Sequence, residues 1–133
     1  MARYQYQYIS NEYPEDVQFD KDAIKIFTVD IECSAESGFP AVENPIEELL
    51  AITVKNQSNK QIITWGTGEF KTDRPDVTYI SCKSEKSLIM EFMKFWIKNY
   101  PDVITGWNTK FFDIPYLFIR IRNLLDEKEL KRF

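Results

Sequence analysis

Asp30 and Glu32 flank Ile31 at the end of an apolar, β-branched run, Ile24-Lys25-Ile26-Phe27-Thr28-Val29. Side chains alternate along a strand, so the two acids share one side and Ile31 enters the other. No lysine or arginine stands directly beside them. A third acid, Asp113, lies in Asn108-Thr109-Lys110-Phe111-Phe112-Asp113-Ile114-Pro115-Tyr116, just after Val103-Ile104-Thr105-Gly106-Trp107. Carboxylates gathered where buried strands meet loops need a counter-charge, because an unpaired buried charge is costly. A hard cation such as Mg²⁺ takes a few carboxylate oxygens together with water and substrate phosphate. Asp30, Glu32 and Asp113 are therefore candidate metal ligands and candidate catalytic acids. Plainer roles stand beside this one: solvated acids at a strand end for the first two, and a helix N-cap for Asp113.

The rest of the composition narrows the chemistry. The chain has no histidine, which removes Ser-His-Asp and Cys-His catalysis in cis and the usual zinc sites. Its two cysteines, Cys33 and Cys82, have no metal-ligand spacing and read as reduced thiols of a cytosolic protein. A net charge of −4 carries no basic footprint for nucleic acid, although bound cations can supply local positive charge. Phe39, in Gly38-Phe39-Pro40, is either a loop residue tucked into the core or an aromatic face for a nucleobase. Asn108 suits a turn.

These residues need elements to position them. A length of 133 residues, 44% hydrophobic, fits one domain with a real core. Residues 1–22 alternate tyrosine with polar residues (Tyr4, Tyr6, Tyr8) and read as an extended arm or edge strand, ending in a turn near residues 11–16. Residues 24–31 read as a central strand covered on both faces. Strands follow at 49–54, 61–65 and 77–80, with a short hairpin connection over 56–59. Residues 84–99 have Leu88, Ile89, Phe92, Phe95 and Trp96 on one helical face, with Ser84 as N-cap. A strand at 103–105 precedes a helix from Asp113, whose apolar face is Ile114, Leu117, Phe118, Ile121 and Leu124. The order predicts a mixed sheet in an α/β domain. No window is apolar enough for a membrane span, and no signal peptide is apparent.

Taken in order, Asp30-Ile31-Glu32, Ser37-Gly38-Phe39-Pro40, Pro45-Ile46, Thr105-Gly106-Trp107-Asn108 and Phe112-Asp113-Ile114-Pro115-Tyr116 resemble the 3′–5′ exonuclease domain of family B DNA polymerases. The Gly-Phe-Pro loop and the Phe-Asp-Ile-Pro-Tyr run are similar to those of T-even-type tailed phages. The resemblance covers roughly residues 5–125. It implies a ribonuclease H-like (DnaQ-like) α/β fold, with a mixed sheet flanked by helices. It also implies metal-dependent removal of 3′-terminal nucleotides from single-stranded DNA, with Mg²⁺ or Mn²⁺ in a two-metal site. The resemblance implies that Asp30, Glu32 and Asp113 are the catalytic metal ligands, that Glu32 also orients the attacking water, and that three DNA-binding residues serve the 3′ end: Phe39 packs against a base of the frayed strand, and Asn108 and Phe112 contact or shape the site around the terminus.

One departure from the family matters. Its third motif, Tyr-x-x-x-Asp, supplies a fourth carboxylate, and this sequence has no such run; Tyr8-x-x-x-Glu12 has the spacing but the wrong acid and the wrong place. The expectation is thus residues 23–133 as a C-terminally incomplete exonuclease domain of low activity alone. The remainder of the polymerase and the single-stranded DNA 3′ end are its expected partners, in the cytoplasm of an infected host cell. A non-catalytic DNA-binding or assembly module, or another ribonuclease H-like nuclease, are the alternatives. The incomplete sheet further predicts 103–105 as a central strand, and self-association through an uncovered helix face over 121–125.

Overall fold

The computed structural model describes residues 2–15, 20 and 23–133. Its elements run α1 (Ala2–Glu12), β1 (Ile26–Cys33), β2 (Leu49–Asn56), β3 (Ile62–Gly66), β4 (Val77–Ser81), α2 (Glu85–Asn99), β5 (Val103–Thr105), α3 (Asp113–Leu124) and α4 (Glu127–Leu130). The five strands form one mixed sheet in the order β4-β3-β2-β1-β5. β1 to β3 are an antiparallel meander, β4 adds parallel to β3, and β5 adds parallel to β1. The crossover from β4 through α2 to β5 carries the chain across the whole sheet. It places β5 on the far side of β1, next to the strand that bears Asp30 and Glu32.

Register decides which residues enter the core. Phe27, Val29 and Ile31 of β1 share a face with Ile52 and Val54 of β2 and Trp65 of β3, and all six are buried. Leu88, Ile89, Phe92, Met93 and Trp96 of α2 and Tyr116, Leu117 and Ile121 of α3 cover that face. Aromatic pairs join the two layers: Trp65 meets Phe92 edge-on at 5.5 Å between ring centres, and Phe27 meets Trp96 at 6.3 Å. At the end of the described chain, the carbonyl of Phe133 accepts from the Trp96 indole at 3.1 Å, and its ring lies 5.4 Å from Trp96. α2 begins as expected: Ser84 caps the amide of Ser87, and the Ser87 side chain returns to the amide of Ser84.

Four expectations are corrected. The N-terminal segment is helical over Ala2–Glu12, not an extended arm or edge strand; the expected arm's residues 1, 16–19 and 21–22 lie outside the described residues. Three tyrosine alternations are weak strand information beside the good helix formers Arg3, Gln5 and Gln7. Second, β1 is buried on one face alone. Its other face carries Thr28, Asp30 and Glu32, level with Lys55, Thr53 and Ala51 of β2, and none of these is buried. Third, β5 is an edge strand among the described residues, with all three of its residues exposed. Fourth, the 121–125 face is covered: Ile121 is fully buried, and Leu124 and Leu125 pack against the core. Cys33 and Cys82 are both free. Among the described residues no helix is long and apolar enough to cross a membrane.

Candidate active site

The site is built where β5 stops short. β5 pairs with β1 only at 26–28, so among the described residues no strand lies beside β1 beyond Thr28 on the side away from β2. The chain turns away at Gly106, whose Cα lies so close to β1 that a Cβ there would collide with the Val29 carbonyl and Thr109 Oγ1. Asn108 makes the next bend in the left-handed region, at φ 55°, and its carbonyl accepts from the amides of Phe111 and Phe112, both at 2.9 Å. That turn starts α3 with Asp113 in its first position. The Asp113 carboxylate then takes the place of the absent strand partner: Oδ1 accepts from the amide of Ile31 at 3.1 Å.

This contact explains Asp113 differently from a helix cap. Phe112 holds the N-cap position, with no side-chain cap bond, so Asp113 is used across the fold rather than along its own helix. Ile31 stands between Asp30 and Glu32, so the bond brings the third acid to the backbone between the other two. Asp113 is only 4% exposed. Burial raises its proton affinity above the ordinary carboxylate range; the Ile31 amide opposes the rise, and the charges of Asp30 and Glu32 add to it. Asp30 and Glu32 are exposed on the open sheet face. Among the described residues no three acid, cysteine or histidine side chains converge into a ready-made metal cage. The donor set nonetheless fits a hard divalent cation, being all oxygen and already electrostatically coupled.

The aromatic residues frame this corner. Phe39 is 90% exposed, which removes the core role for it. Gly38 precedes it at φ 122°, a conformation that other residues rarely adopt. The Phe39 ring lies 6.4 Å from Phe112, and Phe112 stacks on Tyr116 at 5.4 Å. Ile31, Glu32, Cys33, Ala35, Phe39, Pro40 and Phe112 line one open pocket, so Phe39, Phe112 and Glu32 face a common space. Asn108 shapes the turn through its backbone.

Several residues of this corner escaped the sequence reading. Glu47 is buried, and its carboxylate accepts from Ser34 Oγ, the amide of Glu36 at 3.1 Å and the amide of Ser37 at 2.7 Å. Tyr116 donates to the Glu47 carbonyl at 2.7 Å, and burial pushes its phenol up to about 12, so it stays a donor. Glu85 and Arg120 form a buried bidentate ion pair; Glu85 also accepts from the amide of Leu49, and Arg120 donates to the Pro45 carbonyl. Arg120 had a readable signal, a charge on the same helical stripe as Leu117, Ile121 and Leu124, where it needs a partner. Trp107 is 92% exposed on the turn after β5, and Phe111 is exposed with Lys110 over its ring. Burial raises the Cys33 thiol to about 11, which removes it as a nucleophile at neutral pH.

A mixed five-stranded sheet flanked by helices is the α/β architecture of a ribonuclease H-like fold. Residues 3–133 match the model for the exonuclease domain of DNA polymerase family B, and the chain belongs to that family. It is 28% identical to the DNA-directed DNA polymerase of Escherichia phage RB69 over 99% of this chain, and 26% identical to that of Enterobacteria phage T4 over its whole length. It is 38% identical, over 75% of this chain, to the DNA polymerase delta catalytic subunit of Dictyostelium discoideum. The chain spans 17% and 18% of the lengths of the two phage polymerases, under a fifth of each. Exonuclease domains of this family are metal-dependent nucleases.

Proposed function

We propose that Asp30, Glu32 and Asp113 hold a divalent cation, Mg²⁺ or Mn²⁺, and that this corner acts on the 3′ end of single-stranded DNA as part of a proofreading exonuclease. The observation that carries the reading is the Asp113–Ile31 bond, which brings a buried, charge-strained carboxyl to the backbone between two exposed acids. A divalent cation held by Asp30, Glu32 and Asp113 would supply an acidified water and positive charge for the phosphate. Glu32, on the exposed face, would orient the attacking water. Phe39 stands clear of the core and stacks on an unpaired base, a contact that accepts any of the four and so suits a mispaired end. Phe112 backs Phe39 and shapes the pocket floor, and Asn108 holds the turn that aims Asp113. The DNA and the remainder of a polymerase are the partners this reading assigns.

Titration calorimetry with Mn²⁺ tests it. The wild-type chain gives a binding isotherm, and Asp30→Ala abolishes it. An unchanged isotherm in that variant means that the acids are structural. A 5′-labelled oligonucleotide incubated with Mn²⁺ and a molar excess of the chain reports the reaction, which is slow in the absence of the third motif: slow shortening from the 3′ end, lost in Asp113→Ala, supports the nuclease reading, and internal cleavage contradicts it.

A further inference from the structure

Glu47 is connected to the site without touching it. Its carboxylate gathers three donors from residues 34–37, the segment that leads into Gly38 and Phe39. Its own backbone is fixed from the other side by the Tyr116 hydroxyl. The flanking residues are fixed too, Pro45 by Arg120 and Leu49 by Glu85. A line of hydrogen bonds thus runs from α2 and α3 through residues 45–49 to the loop that ends in Phe39. Ser34 closes the clamp in both directions, donating to the carboxylate and accepting from the amide of Glu48 at 3.1 Å. Among the described residues the amides of Glu36 and Ser37 have no other protein acceptor, and the loop tip keeps the bond from the Gly38 amide to the Ala35 carbonyl at 3.4 Å and the Phe39–Phe112 contact.

We infer that Glu47 is a positioning residue for single-stranded DNA: by clamping residues 34–37 it holds Phe39 beside Phe112 and the acids, ready to receive a base. The inference rests on the proposed role of Phe39 and goes beyond it by naming what pre-organises that residue. A side chain held in its bound position loses less entropy on binding than one that must be ordered. A carboxylate is needed because it accepts from all three donors, whereas a carboxamide offers one oxygen and places an NH₂ against an amide.

The test uses Glu47→Gln, Phe39→Ala and their double variant in the whole chain. One measurement is the affinity for a 5′-fluorescein-labelled oligodeoxythymidine with a free 3′ end, in Ca²⁺. The other is hydrogen exchange at the amides of Glu36 and Ser37. Phe39→Ala and Glu47→Gln should each weaken binding by about fivefold or more, the lower end of one stacking contact. The double variant should bind no more weakly than Phe39→Ala alone, because both changes remove the same interaction. Exchange at the two amides should accelerate in Glu47→Gln only. Additive losses, or unchanged affinity despite faster exchange, overturn the positioning role: the clamp then serves stability alone. Wild-type chain that shows slow exchange but binds no oligonucleotide overturns the functional reading itself, and the inference with it. Should Glu47→Gln not fold, Ser34→Ala removes one donor, and the same non-additivity with Phe39→Ala is required of it.

Discussion

Asp113 is one residue with two opposed demands. Its Oδ1 satisfies a buried amide, and its charge is disfavoured by burial and by two neighbouring acids. Because its proton affinity is raised in the folded chain, the stability it contributes is complete below the ordinary carboxylate pKa of about 4. That stability is lost as pH rises through the folded value. Asp113→Asn keeps the oxygen and discards the charge. In calorimetry at pH 7 without divalent metal it should melt a few degrees above wild type, and the difference should close toward pH 4. Asp113→Ala leaves the Ile31 amide unsatisfied and should lie about 1–3 kcal/mol below the Asn variant. An Asn variant no more stable than wild type at pH 7 means that the charge is not strained. Phe39 gives the complementary case: it is exposed, so Phe39→Ala should change unfolding free energy by no more than about 0.5 kcal/mol in urea denaturation.

At the scale of elements, α2 and α3 are held to the start of β2 by Glu85 and Arg120, both buried. Removing one member leaves the other charge without a partner in the core, a change that costs about 3–5 kcal/mol. Arg120→Leu and Glu85→Leu should each fall in that range, while the double variant loses clearly less than the sum, as urea unfolding of the cycle will show. Strict additivity means that the two charges do not depend on each other. This ion pair also shows what the sequence hides. Periodicity places α2 and α3, each with an apolar face at a single repeat, and apolar β-branched runs place the strands, although β5 buries none of its residues. The candidate acids were legible because Asp-Ile-Glu closes a strand and Asp113 opens a helix. Periodicity says nothing of contacts 35 residues apart in the chain, such as Arg120 with Glu85, nor of Asp113 leaving its cap position for the Ile31 amide 82 residues away. α1 differs for another reason: its tyrosines alternate as in a strand, yet Tyr4, Tyr6 and Tyr8 are all exposed, so the alternation marks no buried face.

Over the whole molecule, the sheet has a covered face that supplies stability and an open face that supplies acids. The two are coupled through Asp113, the group that meets both. A cation held by Asp30, Glu32 and Asp113, as proposed, would draw on residues that only the folded chain brings near one another, and a ligand that binds only the folded state raises stability by RT ln(1 + [L]/Kd), about 2.7 kcal/mol at 100 times Kd. Mn²⁺ should therefore raise the melting temperature at pH 7 by a few degrees. NaCl at equal ionic strength should not reproduce the rise, because screening weakens repulsion without filling the site. The gain should fade as pH falls through the carboxylate range, since protonated acids do not ligate, and it should vanish in Asp30→Ala. In Asp113→Asn the baseline should already be raised and the metal increment reduced, because the same repulsion cannot be relieved twice. Full increments from metal in both variants would place the cation elsewhere, and the corner at Ile31 would then be a structural junction rather than a metal site.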